Sequence, residues 1–303
     1  MGTKYLLKFG KIGKKLFYFF EILKFIRSKI IKKFRKVFGI NEISQKKIAK
    51  LLRKNNLRDR LIIKSLKSDK ISIIVSCYNH AQYLKKMFES VTNQTVHPDE
   101  IILIDDFSTD NTEKILKEIL IDNKGKLNLK VIYNNKNIGQ CASLNKAISI
   151  TNSNLIMILN DDDYLFFDTV EILKKLFKLN EEIALIGSTS IHFDSDKFLN
   201  NANKYILNSI KFEELKLTIQ TPEDLLSYKN YNDLNMTHSG CTFYKEVWDF
   251  VGGYFPDKKD RIVPFSDRDF HLRVNAFFDV GVLYNMPLSF WRSNSSVDFS
   301  KNS

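Results

Sequence analysis

The sequence predicts an α/β fold in which a mostly parallel sheet is flanked by helices, and three observations favour it. Four apolar segments rich in β-branched residues alternate with segments of helical periodicity between residues 71 and 163. Strands that alternate with helices in this way form parallel pairs joined by right-handed crossovers. The chain has 303 residues, of which 44% are hydrophobic, and is therefore long enough to bury the core of one such domain.

The predicted elements follow one another at short intervals. Strands with polar ends are predicted at 71–79, 100–110, 129–135 and 154–163, with helices between them at 82–93, 111–120 and 140–150. The second half of the chain is less regular. There we predict a strand at 183–188, an insertion at 194–235 with a helix near 222–228, an edge strand at 240–245, a glycine-rich turn at 251–256 and a helix at 267–278.

The first 70 residues differ from the rest of the chain in charge. They contain 22 Lys and Arg against 4 Asp and Glu, a net charge of +18, whereas the remaining residues carry 25 against 31, a net charge of −6. We therefore divide the chain into a basic amphipathic helical segment, residues 1–70, and an α/β domain, residues 71–303. A segment with this charge indicates an anionic partner, either membrane lipid or nucleic acid.

The basic segment also carries an apolar stripe. Large apolar residues recur at steps of three and four, as on one face of a helix: Tyr5, Phe9, Ile12, Leu16, Phe19, Leu23, Ile26, Ile30, Phe34 and Val37. Such a face surrounded by lysines is typical of a helix that lies in a membrane interface. The alternatives are packing on the α/β domain, a coiled-coil seam, or a nucleic-acid-binding arm, for which the sequence shows no module. We favour a membrane surface, with no nucleic acid as partner.

Carboxylates follow two of the predicted strands. Asp105 and Asp106 end one strand, and Asp161, Asp162 and Asp163 follow another. Because ligands of such sheets bind beyond the carboxyl ends of the strands, these residues are expected to line one crevice. A divalent cation such as Mg²⁺ or Mn²⁺ relieves the repulsion between adjacent carboxylates and brings phosphate oxygens with it. In the alternative interpretation the three carboxylates only cap a helix that starts near residue 168.

Seven segments, in this order, carry a resemblance to a known family: SIIVSCYNHAQYL, ILIDDFSTDNT, NNKNIGQCASLNKAI, LIMILNDDDYL, FVGGYFP, SDRDFHLR and FWRSNSS. Together they resemble the motifs of glycosyltransferase family 2 over residues 71–297. The resemblance implies the GT-A fold, a Rossmann-like sheet flanked by helices, and the transfer of a sugar from a nucleotide-diphosphate sugar, with a UDP-sugar expected. The chain departs from the family pattern at Ser76, Phe107, Asn160, Ser266 and Asn294.

The resemblance also implies which residues bind the nucleotide. Asp105 is expected to accept a hydrogen bond from the base, with Asp106 beside it, which agrees with the acceptor chemistry of a carboxylate. Arg292 is expected to donate to the diphosphate. The remaining expected nucleotide-binding residues are Tyr78, Asn79, Asn137, Gly139, Asn145 and Asp161.

The metal ligands implied by the resemblance depend on the register of the D-x-D motif. In the favoured register Asn160 occupies the first position and Asp162 the second, so that Asp162 is the main ligand and Asn160 adds a carbonyl oxygen without charge. A shifted register, Asp161-x-Asp163, restores both charges and stays open. His238 and His271 are expected to be structural rather than metal or phosphate ligands.

Asp267 is expected to be the general base, because it matches the Asp of the family's Glu-Asp pair. A carboxylate in this position removes the proton from an acceptor hydroxyl as that hydroxyl attacks the sugar. The alternative is an acid that only stabilises the first turn of a helix.

The predicted activity is an inverting, metal-assisted transfer of a sugar to a hydroxyl of a glycan or lipid-linked acceptor. We expect the protein in the cytoplasm, peripheral on the inner face of the membrane. This agrees with three separated cysteines, predicted to be buried and reduced. The alternatives are a nucleotidyltransferase with a similar sheet and an inactive relative that serves as a binding protein.

Overall fold

The computed structural model describes residues 70–193, 212–222, 234 and 236–293. The predicted amphipathic helix and most of the predicted insertion, including its helix near 222–228, lie outside the described residues. The first strand begins at Ile71. The division of the chain at residue 70 therefore stays a prediction.

An eight-stranded mixed sheet forms the centre of the domain. Its strands are β1 Ile71–Cys77, β2 Glu100–Asp105, β3 Leu129–Tyr133, β4 Leu155–Asn160, β6 Leu185–Ser188, β8 Leu217–Gln220, β9 Thr242–Tyr244 and β10 Val280–Leu283. They lie in the order β3-β2-β1-β4-β9-β6-β10-β8. The strands β1 to β4 pair in parallel, which confirms the predicted parallel sheet.

Amphipathic helices connect these strands. The three helices predicted between the parallel strands are present, each within two residues of the predicted bounds. Their apolar faces pack on the sheet, as shown by the buried Leu84, Met87, Leu116 and Leu144. The helices are α1 Ala81–Thr92, α2 Thr112–Asp122, α3 Gln140–Ser149, α4 Thr169–Leu179, α5 Lys245–Phe250 and α6 Ser266–Asn275, with 3₁₀ turns at Phe212–Glu214 and Lys258–Asp260. No helix in the described ranges is both long and apolar enough to span a bilayer.

The predicted edge strand at 240–245 is instead an interior strand. β9 lies between β4 and β6 and pairs with both of them in antiparallel orientation. All three of its residues are buried. The prediction was wrong because a strand of three residues carries too short a pattern to show that another strand pairs with each of its edges.

A second, three-stranded sheet lies next to the end of β4. Its strands are β5 Tyr164–Leu165, β7 Ser190–Phe193 and β11 Ser289–Arg292, in the order β5-β11-β7. The strand β11 comes more than 120 residues after β5 and is hydrogen-bonded to it. This sheet therefore brings the C-terminal part of the described chain to the acidic loop after β4.

A buried ion pair joins helix α6 to the glycine-rich turn. Asp269 accepts hydrogen bonds from the backbone N–H of Ile262 and from Nε of Arg273, the latter at 2.9 Å. The guanidinium of Arg273 donates to the carbonyl oxygens of Val251 and Gly253 at 2.7 and 2.6 Å. Both charged side chains are inaccessible to solvent. The pair therefore holds the turn and the helix together.

We expect Asp269→Ala to lower the free energy of unfolding by about 3–5 kcal/mol, because it leaves the buried Arg273 charge without its partner. Urea denaturation measures this loss. Glu246→Ala, on the exposed face of α5, is the matched control and should change stability by less than about 0.5 kcal/mol. Equal stability of the two variants would contradict the structural role of the pair.

Candidate active site

The carboxyl ends of β1, β2 and β4 meet at one edge of the sheet. In the register of the parallel strands, Cys77 lies opposite Asp105, and Ser76 lies opposite Asn160. The loops that follow the three strands are therefore neighbours. This arrangement brings the two acidic strand ends together, as the sequence predicts.

Asp105 lies at the end of β2 with its carboxyl group buried. Its Oδ1 accepts hydrogen bonds from the N–H and the Oγ of Ser108, at 3.1 and 2.5 Å. Burial raises the pKa of Asp105, and the two bonds from Ser108 oppose this shift. Oδ2 receives no hydrogen bond from the part of the chain that the structure describes. One carboxylate oxygen thus remains available to a ligand.

The loop after β1 is fastened to the loop after β2. Asn79 donates its backbone N–H to Oγ of Ser108 at 3.0 Å, and its Oδ1 accepts from the N–H of Thr109 at 2.7 Å. Among the described residues, two other than glycine have a positive φ: Asn79 at 55° and Phe107 at 63°. The side chain of Tyr78 is 38% exposed. Tyr78 can therefore contact a ligand, whereas the side chain of Asn79 holds the loops in place.

Asp106 organises the loop before α3. Its Oδ1 accepts from Nδ2 of Asn134 and from the N–H of Ile138, both at 2.9 Å, and its Oδ2 accepts from the N–H of Gly139 at 2.7 Å. Oδ1 of Asn137 accepts from the same Gly139 N–H at 3.1 Å. Both oxygens of Asp106 thus bind this chain. The geometry supports a positioning role, and direct contact of Asp106, Asn137 and Gly139 with a nucleotide stays a prediction.

Asn145 connects α3 to the glycine-rich turn. Its Oδ1 accepts from the N–H of Tyr254 at 2.9 Å and from Nε1 of Trp248 at 3.1 Å, and its Nδ2 donates to the Tyr254 carbonyl at 2.7 Å. Gly253 has φ +67°, and a Cβ there would lie 2.8 Å from Oδ1 of Asn145. The turn therefore requires glycine at this position. Binding of a nucleotide by Asn145 stays a prediction.

The three consecutive aspartates make different contacts. Asp161 accepts from the N–H of Tyr78 at 3.0 Å and pairs with Nδ1 of His80 at 2.8 Å. Burial raises the pKa of Asp161, and His80 opposes this shift. Helix α4 begins only at Thr169, with Asp168 at its N-cap. The alternative in which Asp161, Asp162 and Asp163 merely cap this helix is therefore wrong.

Asp163 faces the interior of the protein. Its Oδ1 accepts from the N–H of Arg292 at 2.9 Å, and its Oδ2 accepts from Oγ of Ser239 at 2.5 Å and from Nδ2 of Asn160 at 3.0 Å. Burial, and after it the charge of Asp162, raises the pKa of Asp163 to about 7. Asp163 joins β4, the loop before β9, and β11. It is not presented to a ligand, so the structure does not support the register Asp161-x-Asp163.

A cluster of possible metal ligands lies beside Asp163. One atom each of His80, Asp161 and Asp162 lie within 4.8 Å of one another. An imidazole with two carboxylates suits a divalent cation such as Mn²⁺, which accepts oxygen and nitrogen ligands. The residues therefore fit a divalent metal.

His80 was not among the residues predicted from the sequence. It follows the Tyr-Asn turn at the carboxyl end of β1, the same edge that carries the aspartates. Ligands of such sheets bind beyond the carboxyl ends of the strands, and this rule, from which the carboxylates were grouped, applies to His80 as well. Attention to strand ends, rather than to acidic residues alone, would have found it.

Asn160 is turned away from that cluster. Its Nδ2 donates to Asp163, and its Oδ1 lies 3.2 Å from Nδ1 of His238. Nε2 of His238 lies 3.0 Å from the hydroxyl of Tyr254. Because burial lowers the pKa of His238, the neutral ring donates from Nδ1 to Asn160 and accepts at Nε2 from Tyr254. Ligation of a metal by Asn160 stays a prediction that this geometry does not favour.

Arg292 holds the loop that contains Asp161, Asp162 and Asp163. Its Nε donates to the Asp162 carbonyl at 3.2 Å, and its Nη2 donates to the hydroxyl of Tyr164 at 2.5 Å. The guanidinium carbon lies 4.2 Å from the ring centre of Tyr83 and 4.5 Å from that of Phe193. The side chain is buried among these groups. Arg292 positions Asp162, and its contact with a diphosphate stays a prediction.

Asp267 lies in the first turn of α6, half-buried, near two histidines. Burial acts to raise its pKa, but His238, His271 and the backbone N–H groups of Arg268 and Asp267 outweigh burial and lower it. Burial lowers the pKa of His271 to about 4, against the influence of Asp267. At neutral pH Asp267 is therefore ionised, beside neutral imidazoles. A carboxylate in this state can accept a proton.

Comparison with known sequences decides the family. The sequence model described as "Glycosyl transferase family 2" matches residues 72–247, which is more than half of the chain. The chain belongs to glycosyltransferase family 2. The match covers the strand ends of β1, β2 and β4, whereas Asp267 and Arg292 lie beyond it.

Curated relatives of this family 2 member are also glycosyltransferases. Over 182 residues it is 32% identical to the glycosyltransferase GlyA of Streptococcus pneumoniae, which covers 59% of this chain and 25% of GlyA. Over 148 residues it is 33% identical to the chondroitin synthase of Pasteurella multocida, which covers 49% of this chain and 15% of the synthase. The chain thus spans a quarter or less of the length of these two relatives.

Solved structures confirm the GT-A fold. Residues 1–349 of TarS from S. aureus superimpose with a TM-score of 0.56 at 17% identity, covering 74% of this chain and 60% of that fragment. The mannosyltransferase PcManGT of Pyrobaculum calidifontis superimposes with a TM-score of 0.50 at 15% identity, covering 88% of this chain and 68% of that protein. At these identities the likeness concerns the fold alone. The predicted fold class and enzyme class are both confirmed.

Proposed function

We propose that this glycosyltransferase is an inverting enzyme that moves a sugar from a UDP-sugar to a hydroxyl of a glycan or a lipid-linked acceptor. The observation that carries the proposal is the convergence of two acidic groups at one sheet edge. Asp105 offers one carboxylate oxygen, and the cluster of His80, Asp161 and Asp162 fits a cation. A nucleotide diphosphate needs both features, an acceptor for the base and a cation for the phosphates.

The donor is argued from the chemistry of Asp105. A carboxylate oxygen without a donor from its own chain accepts a hydrogen bond from the imide N–H of uracil. Structures of S. aureus TarS with UDP and with UDP-GlcNAc support a uridine nucleotide. The names of chondroitin and hyaluronan synthases among the relatives support a glycan acceptor.

Asp267 serves as the base in the proposed reaction. Its ionised carboxylate takes the proton from the acceptor hydroxyl while the hydroxyl oxygen forms a bond to the anomeric carbon. The bond between that carbon and the diphosphate oxygen breaks on the opposite face of the sugar. Attack from the face opposite the leaving group inverts the anomeric configuration. UDP leaves with the electron pair of the bond that joined it to the anomeric carbon.

His80, Asp161 and Asp162 would hold a divalent metal. The mannosyltransferase PcManGT, whose structure contains GDP-Man and Mn²⁺, supports Mn²⁺ as the ion to test first, with Mg²⁺ second. Such an ion, when bound, stabilises the negative charge that develops on the leaving diphosphate. Arg292 keeps the backbone of Asp162 in place through its bond to the carbonyl oxygen.

Release of nucleotide tests the proposal. The protein is incubated with UDP-, GDP- and dTDP-sugars, with Mn²⁺ or Mg²⁺ and a glycan acceptor, and free nucleoside diphosphate is measured. We expect UDP release that needs both the metal and the acceptor. Release of sugar 1-phosphate in place of UDP would indicate a nucleotidyltransferase, which breaks the bond between the two phosphates and transfers the nucleoside monophosphate. Nucleotide binding without any transfer would indicate an inactive binding protein, the alternative suggested by Asn160 and Ser266.

We further propose that residues 1–70 attach the protein to the cytoplasmic face of the membrane. We expect a chain that begins at Ser68 to fold and to transfer sugar to a soluble acceptor, but to lose binding to anionic liposomes. Each lysine near such a surface adds roughly 1 kcal/mol of attraction, screened by salt. Sedimentation with anionic liposomes at rising salt concentrations measures the binding of the full and the shortened chain to the membrane surface. A shortened chain that unfolds or aggregates would show instead that the stripe packs on the α/β domain.

A further inference from the structure

Phe107 has a backbone conformation that its side chain disfavours. Its φ of 63° lies in the left-handed region, where a Cβ crowds the backbone. In the family 2 motif that ILIDDFSTDNT resembles, glycine stands where this chain has Phe107, and glycine avoids the strain. Bulky residues persist in this region only where the surrounding structure imposes the conformation.

The surrounding loop does impose it. On one side, Ser108 binds Asp105 through both its N–H and its Oγ. On the other, the N–H of Thr109 donates to Asn79, and the N–H of Asp106 donates to the Cys77 carbonyl at 2.9 Å. These bonds join the loop after β2 to the loop after β1. Phe107 cannot relax without breaking them.

Packing does not account for the aromatic ring. Phe107 is 52% exposed, which is unusual for a phenylalanine. A phenyl ring in this position adds strain and contributes little to the core. The ring is therefore free to contact a ligand.

The position of Phe107 indicates which ligand this is. The residue comes two positions after Asp105, whose free carboxylate oxygen is proposed to bind the base. The exposed ring of Tyr78 emerges from the neighbouring strand end. Every nucleobase has a flat π face that stacks on aromatic side chains. We propose that Phe107 stacks on the nucleobase of the donor and that the backbone strain is the cost of presenting its ring there.

This inference rests on the proposed function, and nucleotide binding separates the two. UDP and GDP are titrated calorimetrically in the presence of Mn²⁺ against the full chain and three variants. Phe107→Ala removes the ring and keeps a Cβ in the strained conformation. Phe107→Gly removes both the ring and the strain. Phe107→Tyr keeps an aromatic ring.

We expect Phe107→Ala and Phe107→Gly to weaken nucleotide binding about tenfold, the scale of one lost stacking contact, and Phe107→Tyr to bind nearly as the full chain does. The Gly variant should melt roughly 2–4 °C above the Ala variant, because only glycine relieves the strain. Equal weakening of binding in the two variants, despite their different melting temperatures, would assign the loss of affinity to the ring rather than to the backbone of the loop.

Two results would overturn the inference, and they differ from each other. If the full chain binds UDP and the Ala and Gly variants bind it equally well, the ring does not contact the base, although the proposed function stands. A raised KM for the acceptor in those variants would then assign the ring to the acceptor. If the full chain binds neither nucleotide, the proposed function fails, and the inference fails with it.

Discussion

Replacing Asp267 by Asn should lower turnover by about 10²-fold or more while the affinity for the donor stays nearly unchanged. The amide keeps the size of the side chain but cannot take a proton from the acceptor hydroxyl, and general bases contribute on this scale. Single-turnover transfer measures the chemical step, and calorimetric titration with UDP measures donor binding. Asp260→Asn, which changes an exposed acid in the preceding 3₁₀ turn, is the matched control.

The pH dependence of the same reaction gives a second test. Because the pKa of Asp267 is lowered from its ordinary value of 3.8, its carboxylate is ionised throughout the range from pH 5 to pH 8. We therefore expect that protonation of Asp267 does not lower the transfer rate between pH 5 and pH 8. The rate should fall through loss of this base only when the pH drops below the ordinary pKa of the group. A variant that lost donor binding and turnover to the same extent would show that Asp267 contacts the nucleotide instead.

Removing the carboxylate of Asp162 should abolish transfer and metal-dependent nucleotide binding while the protein stays folded. The expected loss is at least about 10²-fold, because a bound cation stabilises the leaving diphosphate by several kcal/mol. Electron paramagnetic resonance of free Mn²⁺ measures metal binding directly, without reliance on activity. Glu118→Ala is a control. It removes a half-exposed carboxylate of α2 that pairs with Lys85 and lies outside the loops after the strands.

Two companion variants identify the other ligands. Asp161→Ala and His80→Ala should each weaken Mn²⁺ binding, because their ligand atoms belong to the same group as that of Asp162. Asn160→Ala should affect Mn²⁺ affinity less, since the Asn160 amide binds Asp163 and His238. Transfer that survived both Asp162→Ala and Asp161→Ala would refute the metal site.

The main features of the sheet and its functional edge could be predicted because they depend on local patterns. Alternating strands and helices in a parallel sheet place all strand ends on one side, and this alone brings Asp105 and Asp162 together. The placement of β9 could not be predicted in this way, because three residues carry too short a pattern to distinguish an edge from an interior strand. The pairing of that strand depends on β6, far away in the sequence.

The individual contacts of the site required the three-dimensional structure. Asp161, Asp162 and Asp163 have identical side chains, and only the fold shows that Asp163 points inward. The role of Arg292 was likewise decided by tertiary contacts, since the aromatic rings around it come from three separate elements. His80 could have been predicted from its place after β1, but its pairing with Asp161 depends on the exact path of the loop.

The contact between Asp163 and β11 has a consequence for biosynthesis. The Asp163 carboxylate accepts from the N–H of Arg292, 129 residues later in the chain. During translation, β1 to β4 can pair long before that donor has been made, and contacts of such separation close late. Until β11 has been made, Asp163 can accept from Asn160 and Ser239 but not from Arg292, so the loop after β4 lacks its bond to β11. A chain still bound to the ribosome would therefore pair β1 to β4 first, and β11 would complete the acidic loop last among the described strands.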